Sequence, residues 1–158
     1  MIVGFTTGVA VHVLISLVGI ATGLVVLFGM LRGNRMNGLT AVFLITTVLT
    51  SATGFFLPAP HFLPSHAIGI LSLIVLAIAL AARYRFHMAG AWRRTYVITA
   101  VIALYLNVFV LVAQLFMKVD ALKALAPTQS EPPFAIAQGT VLLIFIVLGT
   151  LAAKRFRA

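Results

Sequence analysis

The chain has 158 residues, 63% hydrophobic and 8% charged, with no cysteine and a net charge of +9. Soluble domains carry about 25% charged residues, so this composition cannot coat a water-exposed surface and points to a single domain, residues 1–158, solvated by lipid. The missing thiols exclude disulfides, thiolate metal centres, iron–sulfur clusters and covalent c-type haem, leaving His, Met or oxygen as metal ligands.

Five apolar runs follow along the chain: Val9–Leu31, Leu39–Leu57, His66–Ala82, Thr95–Met117 and Phe134–Ala153. About 20 helical residues, at ~1.5 Å each, cross the ~30 Å hydrocarbon layer. None of the runs holds a proline or a charge. The fold class expected is therefore all-α, a bundle of five transmembrane helices. The first run is expected to stay in place as a span and not to act as a cleavable signal peptide, because Arg32 and Arg35 follow it and nothing basic precedes it.

The connections set the orientation. Loop Arg32–Gly38, loop Arg83–Arg94 and the tail hold Arg32, Arg35, Arg83, Arg85, Arg93, Arg94, Lys154, Arg155 and Arg157, nine basic residues on one side of a five-span chain. Met1–Gly8, the Pro-rich link Pro58–Ser65 and the loop Lys118–Pro133 hold only Lys118 and Lys123, with both acidic residues, Asp120 and Glu131. The positive-inside rule then puts the N-terminus outside and the C-terminus in the cytoplasm. A short helix is expected around Val119–Ala126. Basic residues clustered at the ends of apolar runs, with no stripe along a polar helix, argue against a nucleic-acid partner.

Polar side chains within the runs gather toward the outer ends. His12, Thr53, His66, Gln114 and Gln138 lie within about one turn of that boundary, with Asn107 deeper in the fourth run. The inner half reads as almost wholly apolar. His12 and His66, on separate helices at equal depth, are candidate ligands of a b-type haem. His12 also heads a stripe of small residues, Ser16, Gly19 and Gly23, which leaves room for a macrocycle or for a neighbouring helix. His61 with His66 is a weak metal pattern. Asp120 and Glu131 are the outer-loop acids, and a solvated loop explains them better than a carboxylate pair.

The stretch from His12 through Gly19 and Gly23, R-G-N-R-M-N-G at Arg32–Gly38, T-G-F-F at Thr53–Phe56, His87 and L-K-A-L-A-P-T-Q-S-E-P-P-F at Leu122–Phe134 resemble a family of small bacterial, proteobacterial integral membrane proteins without assigned activity. That family is distantly like cytochrome b561-type bundles. In the wider family the basic loop after the first span often carries a histidine. Asn34 and Asn37 stand there instead, and His87 alone remains on the inner side. The resemblance implies a multi-pass protein of the bacterial inner (cytoplasmic) membrane.

Three functions follow as expectations. The first is a non-catalytic accessory, assembly or interaction subunit, partnered by the bilayer and by a larger membrane complex or its own copies. The second is electron transfer through haem b held by His12 and His66. The third is an oligomeric pore or transporter component around Asn107 and Gln114. Hydrolytic or transferase catalysis has no nucleophile, base and acid at usable spacing, so the reading leans away from an enzyme.

Overall fold

The computed structural model describes residues 2–34, 36–54, 64–128 and 131–156, except for the side chains of 2–9, 54, 64–66, 117 and 118. All regular elements among these are helical: α1 (Ile2–Leu31), α2 (Asn37–Gly54), α3 (Pro64–Leu80), α4 (Ala91–Lys118), α5 (Asp120–Leu125) and α6 (Pro132–Arg155). A π-helical turn, Ala81–Arg85, continues α3. Each of the five apolar runs is helical over its described residues, and the short helix expected near residue 120 is α5. Four helices are long and apolar enough to cross a membrane, within α1, α3 with its π turn, α4 and α6. The apolar part of α2 is shorter, Asn37–Thr53.

The helices begin before the apolar runs do. Helix α1 starts at Ile2 instead of Val9, α4 at Ala91 instead of Thr95, and α6 at Pro132 instead of Phe134. Hydropathy sees only the lipid-like stretch, whereas backbone hydrogen bonding extends into the polar flanks. Proline suits the first turn of α6 because its missing N–H has no intrahelical partner to lose.

Helix α4 is the hub, touching α1, α2, α3 and α6, while α1 lies along α2 and α6 borders α1 and α4. Between α1 and α2 the chain reverses within residues 32–36, where Gly33 and Met36 take φ of +78° and +47°. The Gly29 carbonyl accepts the backbone N–H groups of Arg32 and Asn34. A side chain on Gly29 would collide with the Met36 thioether, so this glycine lets the loop fold onto α1. Between α3 and α4, His87, Met88 and Gly90 all have positive φ.

The basic segments meet at one end. Arg83 reaches Asn37, Arg93 donates to the carbonyls of Ala153 and Phe156, and Gly33 lies beside the Arg155 carbonyl. Arg35 and Arg157 lie outside the described residues. At the opposite end Phe116 of α4 meets Phe134 of α6 edge to face at 5.4 Å.

The core joins both halves through Leu27, Phe43, Leu44, Leu76, Ala79, Val97, Ala103 and Leu104, all at most 2% exposed. One expectation fails here: the basic half is not almost wholly apolar. Thr40, Arg83 and Tyr96 are buried in it at 0%, 4% and 0% exposure. Arg83 belongs to a helix end and packs inward, where a loop residue facing water was expected.

Candidate functional site

Two polar groups lie inside the bundle. The first runs down the small-residue face of α1, away from the basic end. The Nδ1 atom of His12 is 2.8 Å from the Thr53 hydroxyl oxygen. That hydroxyl donates to the Leu49 carbonyl at 2.6 Å, which leaves its oxygen to accept from His12. One turn on, Ser16 donates to Asn107 Oδ1 at 3.1 Å, linking α1 to α4. Asn107 is 8% exposed, and its Nδ2 has no hydrogen-bond partner among the described residues. Gln138 donates through Nε2 to the Phe109 carbonyl at 3.1 Å and so ties α6 to α4.

Small residues on α1 give those neighbours their room. A Cβ on Gly19 would stand 3.1 Å from Thr46 Oγ1, 3.2 Å from Thr47 Oγ1 and 3.5 Å from Asn107 Nδ2. On Gly23 it would stand 2.6 Å from Leu104 and 2.8 Å from Phe43. Of the two uses open to this stripe, close helix packing is the one realised, and the space expected beside Gly19 and Gly23 is filled by α2 and α4. The threonines of α2 return their hydroxyls to the helix: Thr46, Thr47, Thr50 and Thr53 each donate to the carbonyl four residues back.

The second group closes the basic end. The π-helical turn inserts an extra residue per turn, and Arg83 falls on the inward side of it. Its Nη2 donates to Asn37 Oδ1 at 2.6 Å, and its guanidinium carbon lies 5.0 Å from the Tyr96 ring centroid and 5.8 Å from that of Tyr84. An arginine suits this place because its flat cation can stack on a ring and still donate in its own plane. Thr40 is buried beside them. Phe156 covers Tyr96 at 6.2 Å and is held by Arg93, which donates to its carbonyl. Sequence reasoning missed this cluster. The signal was a run of arginines directly continuing an apolar helix, and charge counting assigns every such arginine to the surface.

The other expected residues are dispersed. Gln114 is half-buried on α4. Glu131, just before α6, accepts the backbone N–H of Thr128 at 3.1 Å and its hydroxyl at 2.9 Å, while Asp120 opens α5. His61 lies outside the described residues, as does the side chain of His66, so the pairing of His12 with His66 lies outside them too. Among the described residues no three His, Cys, Asp or Glu side chains cluster to hold a metal ion.

Comparison with protein-family models, curated proteins and solved structures returns no match, so none of these identifies a family or a bacterial origin for the chain.

Proposed function

We propose that this chain is a five-span integral membrane protein, N-terminus outside and C-terminus cytoplasmic, that serves the bacterial inner membrane as a non-catalytic accessory or assembly subunit. The observation carrying this reading is the use to which the polar groups between the helices are put. His12 is tied to Thr53, Ser16 to Asn107, Gln138 to the Phe109 carbonyl and Arg83 to Asn37. Each bond joins one helix to another, which is the work of a scaffold. Polar side chains in lipid serve mainly as such interhelical links unless they line a pathway.

Helix α6 is the face offered to a larger complex. Over an apolar stretch of 18 residues only 11% of it is buried, against 50% for the corresponding stretch of α4. Ile136, Leu143 and Val147 stand outward at 67%, 65% and 56% exposure, and nothing lies within 4 Å of a Cβ placed on Gly139. A small residue amid bulky apolar ones gives a second helix a place to approach closely.

Topology is tested by single-cysteine labelling, for which a cysteine-free chain is ready-made. With a membrane-impermeant maleimide, Thr128→Cys is expected to label in intact cells and Ala89→Cys only after permeabilisation. The reverse pattern overturns the orientation, and equal labelling overturns the span count. The accessory role predicts migration in a complex on native gels, lost in Leu143→Trp. A chain running alone in mild detergent with a haem Soret band, abolished in His12→Ala, would replace this reading with the redox one.

A further inference from the structure

A groove of about 470 Å³ lies between α4 and α6, and neither helix fills it. Ile98, Ile102 and Tyr105 form one wall, Leu142 and Ile146 the other, and Phe145 is buried at its base. Two cations, Arg94 and Lys154, stand together at one end, both exposed. The remainder is apolar apart from the Thr150 hydroxyl, which donates to the Ile146 carbonyl at 2.7 Å, and the Tyr105 hydroxyl. From Arg94 to Tyr105 the groove runs about 16 Å at the helical rise. That is close to half of the ~30 Å hydrocarbon core, the depth of a single leaflet.

We propose that this groove holds one acyl chain of an anionic phospholipid, whose phosphate sits between Arg94 and Lys154. The site rests on the membrane-spanning reading above. Charge and length select the occupant together: paired cations at one end and an apolar trough one leaflet deep match a negative headgroup with its tail. Anionic headgroups are bound in basic pockets between membrane helices on the same electrostatic grounds. A second copy of the chain in the same orientation would bring no acid to these cations. Both of its acidic residues, Asp120 and Glu131, flank the far ends of α4 and α6.

Native mass spectrometry of the full chain in detergent, with phosphatidylglycerol and phosphatidylcholine of matched acyl chains added, tests the site. Two basic contacts predict one retained phosphatidylglycerol, held on the order of 30-fold more tightly than phosphatidylcholine. The double variant Arg94→Gln/Lys154→Gln should erase that preference without moving the thermal midpoint. Arg32→Gln/Lys123→Gln, with its charges removed elsewhere, should keep it. Ile98→Trp should displace both lipids by filling the trough. Equal affinity for the two lipids, a preference surviving in the double variant, or a lipid-free dimer closing the groove would each overturn the proposal. Extraction of the chain from membranes by alkaline carbonate would overturn the membrane reading itself. A carbonate-resistant chain without lipid preference overturns the lipid site alone.

Discussion

Helices α4 and α6 are close to indistinguishable by hydropathy, with spans of 26 and 24 residues at mean hydropathies of 2.4 and 2.3. Over an apolar stretch of 18 residues in each, half of α4 is buried and about a tenth of α6. In water such a difference would be written into the residue pattern, since an exposed face must be polar. In lipid the outer face is as apolar as the core, so position within the bundle is carried by smaller signals. Helix α4 has Ala100 and Ala103 buried in the core, Asn107 where a hydroxyl meets it, and Tyr96 where a guanidinium stacks. Helix α6 presents a broad surface of Ile, Leu and Val with one internal glycine set close to a neighbour, Gly149, where a Cβ would stand 3.1 Å from Val101 Cγ1. Mutations should therefore separate the two helices far more sharply than their compositions do.

The largest effect is expected where α4 meets the buried cation. Arg83→Ala removes a charged hydrogen bond to Asn37 and the stacking on Tyr96, and should cost about 3 kcal/mol. Its thermal midpoint in detergent would fall well below that of Arg83→Lys, which keeps the charge and loses the planar fork. Equal stability of the two variants would mean that the charge alone contributes nothing at this position and that the planar fork carries the whole effect. Next comes Gly23→Leu, which forces a side chain into the space held by Phe43 and by Leu104 of α4; overpacking of this kind costs about 1–3 kcal/mol. A change under a few tenths would show that Phe43 and Leu104 swing aside freely.

How much of this was legible in the sequence depends on which physical signal carried it. Apolar length carried the helices, and depth from the helix ends placed His12 and Thr53, which the structure joins, at the same level. Ser16 with Asn107 was not legible, because Asn107 could be matched along its own helix with Gln114 but not across to α1. Arg83 was misplaced for a deeper reason. Its burial comes from the π-helical turn and from two partners, Asn37 and Tyr96, brought in by other helices. A count of charges holds none of that information, and a guanidinium continuing an apolar helix looks the same whether it turns to water or to a ring.

Smaller effects probe the neutral links. His12→Ala removes the interhelical hydrogen bond from α1 to Thr53, and such bonds in membrane bundles average about 0.6 kcal/mol. Its midpoint should drop only slightly, far less than in Arg83→Ala. A large drop would mean that the imidazole holds more than one neighbour in place.

Gly139→Ala on α6 should lie at the end of the series and carry the opposite sign. A Cβ there meets nothing within 4 Å, so no overpacking offsets the better helix propensity of alanine, about 0.5–1 kcal/mol over glycine in a helix interior. The isolated chain should gain stability, read as a raised thermal midpoint in detergent. In the native membrane the same methyl group stands on the face assigned to a partner helix, where close approach needs a small residue. The two measurements should therefore diverge: a stabilised monomer and a weakened complex on native gels. A stabilised monomer with an unchanged complex would move the partner's seat away from Gly139, while leaving the contrast between the buried and the exposed helix intact.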